Sequence, residues 1–379
     1  MPFGDEHEAF RRSVRAFVER EIAPGVLEWE AAGAVPRALF RRAGELGLLG
    51  IRLSPELGGS GQDFWYTAVL VEELVRCGSV GVAVSLLAHA EFATHVLDRH
   101  GSDEIRQSFV RPAIGGARIG ALGLTEPGVG SDLGALTTRA ERRGDDFVID
   151  GAKTFITNGT LADFVTTAVR TGGAGPRGIS LVVVPTDAPG FVRGKRLEKL
   201  GAHASDTAEI AFESCRVPAR FLVGVENEGF RMILEGFAGE RLVLSLIGCA
   251  QLRLLWQEAR RHGLERKAFG QPLLGFQVWR HRLADAAARI EAAEALTHRA
   301  IDRWVRGEPS NAEISMAKLV MAETVRDVAH ECLQIHGGMG CMEATLAARL
   351  YRDSIGFGVG AGTSEIMREI IAKERGLVP

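Results

Sequence analysis

The 379-residue chain has five cysteines (Cys77, Cys215, Cys249, Cys332 and Cys341), widely scattered and with no CxxC pair. That spacing argues against a zinc site or a disulfide framework and fits a reducing compartment, with the cytoplasm as the expected location. No run of about 18 apolar residues stands out, so no membrane span is expected. The opening MPFGDEHEAFRRSVRAF is charged and amphipathic and lacks the apolar core of a secretory signal. With a formal net charge of -3, the chain has no excess of either sign that would suggest a nucleic-acid partner. Also missing are a βαβ alternation and a GxGxxG following a strand, which makes a Rossmann cofactor domain improbable.

What is present is ordinary globular material: 46% hydrophobic and 25% charged residues, enough to bury a sizeable core without staples. The first third reads as helices. Phe10, Val14, Phe17 and Val18 fall on one face at spacings of three and four, and residues 36–50 end in a glycine stop. Short runs rich in Val, Ile, Thr and Phe follow: DDFVIDGAKTFITNG, DFVTTAVRTG, GISLVVVPTD and AEIAFESCRVP. Their Gly, Asp and Pro punctuation predicts a small antiparallel sheet domain. From about residue 226 long helical periods return and predict a bundle with extensive apolar surface. The predicted organisation is an α+β chain: an all-α domain over 1–118, a barrel-like β domain over 119–222 and a helical bundle over 223–379.

Four segments carry candidate chemistry. The glycine-rich GLTEPGVGSD (123–132) exposes backbone N–H groups and hydroxyls suited to a phosphate or a heterocycle edge, or is a tight loop. GAKTFITN (151–158) reads as a hairpin strand with Phe155 on one face. ERKAFGQ (265–271) reads as a helix end with a basic last turn and a glycine stop. QIHGGMG (334–340) suits a diphosphate cradle or a plain helix cap.

Taken together, in this order and on a helix–sheet–helix layout, these segments and the closing GAGTSEIMRE resemble the acyl-CoA dehydrogenases over nearly the whole chain. Arg349 and Asp353 belong to the same pattern. The resemblance implies FAD bound between the sheet and the bundle and across a subunit boundary. Thr125 and Ser131 would lie along the flavin, and Phe155 and Thr157 would flank its ring. Thr363 and Glu365 would bind the same FAD. Arg266, Phe269, Gln271, Gln334, Gly337 and Gly338 would reach a neighbouring subunit's cofactor. A homo-oligomer is implied, in the family usually a homotetramer, with an electron-transferring flavoprotein as acceptor and no metal.

Many relatives carry the catalytic base directly before Gly-Thr in the closing motif. Here that position is Ala361, which cannot accept a proton but keeps its backbone N–H for the thioester oxygen. Glu240, before Arg241, occupies the position that holds the base in the isovaleryl and long-chain branches; the competing reading is a helix-surface Glu paired with Arg241. Substrate contacts are expected from Ser131, Arg241 and Gly360. The small residues Gly360 and Ala361 leave room for a short-to-medium, branched or cyclic acyl group. Departures at Ala238, Val129, Cys341 and Ala344 leave an acyl group on a carrier protein, as well as acyl-CoA, open as the substrate. An oxygen-using oxidase or monooxygenase on the same fold is a further alternative.

Overall fold

The computed structural model describes residues 3–378. The first helix, Asp5–Phe17, buries Val14 and Phe17, continues through a π-helical turn that buries Val18, and packs Phe10 against the core. Asp63 caps the helix Phe64–Val75 by accepting from Trp65 N at 2.8 Å, satisfying a donor that would otherwise be left over at the helix start. Ser79 caps the next helix, whose α-helical turns Val80–Leu87 and His95–His100 are joined by a wide π-helical stretch, Ala88–Thr94.

The segment Val80–His100 corrects one expectation. By length and composition it is apolar enough to cross a membrane, yet most of it is buried inside the fold. Its apolar faces are used against protein, where Val82, Ala83, Leu86, Leu87 and Ala90 join the main core.

Eight strands form one sheet: β1 (Gly120–Gly123), β2 (Arg139–Arg143), β3 (Asp146–Thr157), β4 (Phe164–Arg170), β5 (Ile179–Pro185), β6 (Phe191–Arg196), β7 (Thr207–Pro218) and β8 (Leu222–Val223). Their order is β6-β7-β3-β2-β4-β5-β8, with β1 beside β4. The four strands read from the sequence are β3, β4, β5 and β7. The sheet is mixed rather than purely antiparallel. β1 pairs parallel to β4 from Gly120↔Phe164 to Gly123↔Thr167, and Arg139 of β2 meets Arg170 of β4 in the parallel sense. Neither pair is joined by a tight turn, so nothing forces the chain to reverse between them. β1, β2 and β6 were illegible because four glycine-rich residues, an Arg-rich run and an exposed edge carry no apolar alternation.

Four helices make the C-terminal bundle: Gly229–Glu265, Gln277–Val305, Asn311–Ile335 and Ser364–Glu374. The N-terminal helices and the bundle share one apolar core, in which Val14, Phe17 and Leu74 join Leu246, Ile247 and Val325. Asp353 ties three regions together. Its carboxylate accepts from Val80 N at 3.2 Å and Ala202 N at 2.6 Å, while Arg349 donates to Gly78 O at 3.3 Å.

The placement of β1 matters because it delivers the glycine-rich loop. A Cβ on Gly120 would lie 2.7 Å from Phe164 Cζ and 3.2 Å from Ala93 Cβ. Gly120→Val is therefore expected to cost about 1–3 kcal/mol from overpacking, read as a lower Tm in thermal unfolding; an unchanged Tm would show that the neighbours can yield.

Candidate active site

The loop after β1 is fixed by a buried ion pair that the sequence reading did not single out. Glu126 accepts from Thr137 N and Oγ1, both at 2.7 Å, from Thr138 N at 2.8 Å, and from Lys153 Nζ at 2.8 Å. Lys153 is fully buried and also donates to Leu124 O at 3.1 Å. Burial alone would raise the Glu126 pKa, but Lys153 and the threonine donors outweigh it and hold the carboxylate at about 2. Glu126 and Lys153 both sit inside quoted motifs; a lone Lys within the otherwise largely apolar β3 segment was the available signal.

Thr125 lies in this loop, exchanging hydrogen bonds with the Thr154 backbone: its hydroxyl donates to Thr154 O, and Thr154 N donates to Thr125 O at 2.9 Å. Ser131 is exposed on the bend that follows. Next to Thr154, β3 slips register against β7 between Lys153 and Ile156, and Phe155 takes a left-handed φ of 60°. The irregularity turns the Phe155 ring outward, 69% exposed. Thr157 closes the strand, half-buried.

The closing motif forms a second wall. Thr363 caps the last helix by accepting from Ile366 N at 3.3 Å, and Glu365 is exposed in its first turn. Just before it, Ala361 adopts φ 50° and Gly362 φ 100°, a strained path for alanine that needs outside support. Two buried cations from separate bundle helices provide it. Arg241 Nε donates to Ala361 O at 3.2 Å, and Lys318 Nζ donates to Gly362 O at 2.6 Å. Lys318 was missed, although a single cation on the buried face of an Ala-, Val- and Met-rich helix was a readable anomaly. Burial and the nearby Arg241 lower its pKa to about 8.

Glu240 lies on the 37-residue helix Gly229–Glu265, 9% exposed. Burial raises its carboxyl pKa to about 7, with Arg241 opposing only in part. It lines a cavity that opens to solvent. The cavity runs between the segments 91–100 and 232–240, is floored by Leu122, Leu124 and Leu181, and has Trp304 in its wall. The reading of Glu240 as a surface Glu paired with Arg241 does not hold: the residue is buried and faces the cavity. Three expected substrate contacts are not in this lining. Arg241 is rotated about 100° from Glu240 along the helix and holds the tail loop instead. Ser131 and Gly360 are exposed and lie outside the cavity wall.

The remaining candidates gather at one end of the bundle. Lys267–Ala268 and Gln271–Pro272 form a tight hairpin, not merely a helix stop, with Phe269 (φ 49°) and Gly270 (φ 83°) at its tip. Phe269 is 97% exposed, and Arg266 and Gln271 are exposed beside it. One helical turn before Arg266, His262 stacks on His336 at 4.1 Å, so the hairpin adjoins Gln334, Gly337 and Gly338. Gln334 is exposed, and a Cβ on Gly337 or Gly338 would meet nothing.

Family models describe three consecutive stretches of the chain: the acyl-CoA dehydrogenase N-terminal domain over 4–117, its middle domain over 121–215 and its C-terminal domain over 227–375. The chain belongs to the acyl-CoA dehydrogenase family. It is 37% identical over 375 residues to the long-chain specific mitochondrial acyl-CoA dehydrogenase of Sus scrofa, covering 98% of this chain and 87% of that one. It is 36% identical over 369 residues to the short-chain specific enzyme of Clostridium acetobutylicum, covering 97% of each. The crystal structure of a probable acyl CoA dehydrogenase from Mycobacterium abscessus superposes with a TM-score of 0.96 at 45% identity, covering 98% and 99% of the two chains. The acyl-CoA dehydrogenases are FAD-dependent flavoproteins, and this chain is an enzyme of that kind.

Lys318→Met preserves side-chain length but leaves Gly362 O without its charged donor. Loss of one charge-assisted hydrogen bond, about 1.5 kcal/mol, is expected to lower kcat/KM roughly tenfold. Steady-state kinetics on an acyl thioester check this, and an unchanged rate would show that Arg241 holds the loop alone.

Proposed function

We propose that Glu240 is the general base of this acyl-CoA dehydrogenase, removing the α-proton of the bound thioester, with the Ala361 N–H donating to the thioester carbonyl oxygen. The observation that carries the reading is the position of Glu240: a buried carboxyl group, its pKa raised toward neutrality, in the wall of the cavity between the segments 91–100 and 232–240. A thioester α-proton is weakly acidic, so its removal needs an aligned base and a donor for the developing enolate oxygen. A carboxylate whose pKa is near working pH, in a site that keeps water out, meets the first need. The grip of Arg241 and Lys318 on successive carbonyls of the tail loop serves the second by holding the strained backbone at Ala361.

The residues present fit an FAD. The outward Phe155 ring, with Thr125 and Thr157 near it, offers an apolar face beside backbone and hydroxyl groups. Thr363 caps the N-terminus of the last helix, and Gly337 and Gly338 leave open backbone where a diphosphate can approach. When bound, the flavin supplies the hydride acceptor for the substrate's β-carbon. The reading extends to Ser131 and Glu365 as further cofactor contacts, and to Arg266, Phe269, Gln271 and Gln334 as contacts to the cofactor of a second copy. It includes a homotetramer, an electron-transferring flavoprotein as acceptor, and a short-to-medium or branched acyl group.

Glu240→Gln is expected to give a yellow, assembled protein whose dehydrogenation falls by at least ~100-fold; normal turnover would refute the assignment. For the native enzyme, kcat/KM is expected to rise with pH through an apparent pKa near 7, because the ionised form is the base. The stability sign follows from the same shift. The folded-state pKa lies above the ordinary carboxyl value of 4.5, so the native state holds its proton longer and loses stability as pH rises from about 4.5 through about 7. Above that range Glu240→Gln is expected to be at least as stable as the native protein, separating lost chemistry from lost folding.

Phe269→Ser tests the shared cofactor site. It removes an exposed ring and touches no core contact, so secondary structure is expected to persist while FAD retention through gel filtration falls. Full retention of FAD would show that the hairpin does not contribute to the cofactor site.

A further inference from the structure

One wall of the cavity carries polar groups that proton abstraction does not use. The guanidinium of Arg52, with an 8% exposed side chain, lies 4.4 Å from the centre of the Phe64 ring, and its Nε is 3.2 Å from Glu91 Oε2. The other oxygen of Glu91 accepts from Thr67 Oγ1 at 3.1 Å. Arg52 Nη2 lies 3.0 Å from His95 Nε2. A guanidinium only donates, so His95 Nε2 accepts and the ring carries its proton on Nδ1. Burial and the Arg52 charge push the His95 pKa down to about 3, consistent with the neutral ring this bond needs.

The remaining donors have no acceptor. Arg52 Nη1, Arg52 Nε and His95 Nδ1 are buried and without a hydrogen-bond partner, the Nε pointing off the line of its ion pair with Glu91. Arg52, Glu91 and His95 all line the cavity that Glu240 faces. Their end of it is identifiable. Phe64, under Arg52, packs edge-on against Trp304 at 5.8 Å, and Trp304 lies against Gly239. At the other end Glu235 Oε2 sits 3.2 Å from His100 Nε2 and 4.0 Å from Arg99 Nη2.

At the Arg52 end the one cation is already matched by Glu91, while Glu240 adds a further carboxyl; at the other end Glu235 accepts from Arg231 Nη1 at 2.6 Å, and Arg99 stands 4.0 Å away, more than half exposed. At the Arg52 end no cation is left over to balance a second buried carboxylate. What the wall lacks is a neutral acceptor, since buried donors are as a rule hydrogen-bonded.

We propose that the acyl group taken by this enzyme carries a neutral acceptor oxygen, a hydroxyl, keto or ether oxygen, that receives hydrogen bonds from Arg52 and His95. This rests on the reading of the cavity as the acyl site next to Glu240 and specifies the substrate class within it. A plain hydrocarbon chain leaves these donors unpaired, and a site built to pair such donors discriminates against ligands that lack the matching atom.

The test uses the FAD-loaded protein and anaerobic flavin bleaching. The substrates are octanoyl-CoA, its hydroxy and keto counterparts with oxygen at successive carbons beyond the β-carbon, and an ω-carboxylate of the same length. At one position the neutral oxygen is expected to raise kcat/KM at least ~10-fold over octanoyl-CoA, with the ω-carboxylate below both. Arg52→Met and His95→Leu are each expected to collapse that ratio. Arg52→Met leaves Glu91 buried without its cation; if it fails to fold, His95→Leu decides. Equal or better turnover of octanoyl-CoA, a best rate with the ω-carboxylate, or a preference surviving in the folded variants would each overturn the proposal. If octanoyl-CoA bleaches the flavin and oxygen confers nothing, only this inference fails. If no thioester bleaches it, the assignment of Glu240 fails with it.

Discussion

A carboxylate kept away from water, with only its neighbour Arg241 as a partial counterweight, is the constraint around which the protein is organised. Glu240 shares a cavity wall with leucine, isoleucine, methionine and tryptophan side chains as well as the Arg52–Glu91 pair, and its proton affinity is raised by burial. Such a group is costly to fold around, because the charged form loses solvation that nothing fully replaces. The fold absorbs the cost by placing it three turns into a 37-residue helix whose other faces are deep in the shared core. A base on a mobile tail could relax toward solvent. A base on a packed helix cannot, and rigidity is what keeps its proton affinity high.

Moving the base into the bundle changes what the closing loop must do. The loop no longer needs a side chain that reacts; it needs an accurately placed backbone. Ala361 at φ 50° is an unfavourable conformation, and one buried arginine and one buried lysine hold it from separate helices. Arg241 is adjacent to Glu240, so on the proposed reading one short stretch of helix would serve both halves of the reaction, presenting the proposed base to the cavity on one face and the loop support about 100° around. The same neighbour explains why Arg241 is not in the cavity lining: it cannot face both ways.

Much of this was legible in the sequence, and the divisions are physical. The long helices announced themselves because period-3.6 apolar faces must be buried, and β3, β4, β5 and β7 because β-branched runs bounded by Gly and Pro have few other uses. β1, β2 and β6 were silent since their pairing is set by neighbours and not by their own side chains. Glu240, Phe155, Phe269 and the glycines of residues 337–338 were nominated by resemblance alone, since no property of their own segments decides their roles. Lys318, Lys153 and Glu126 escaped because their roles arise only when distant segments meet: Lys318 reaches Gly362 across 44 positions, and Lys153 reaches Glu126 across 27. Spacing within one segment cannot reveal a contact made between two.

The proposed cofactor contacts fall in separate places on the chain: Phe155 and Thr125 on the sheet and the loop beside it, Thr363 at the start of the last helix, and Phe269, Gln334 and the open glycines around the hairpin next to the stacked histidines. A single ring 97% exposed at the tip of a tight hairpin contributes nothing to the stability of its own chain. Water contact with so large an apolar face is unfavourable, and the left-handed φ of Phe269 adds local strain. On the proposed reading both costs are offset by a surface from outside the chain: a cofactor laid between two copies would provide that surface and would give each copy the half of the site it does not build for itself.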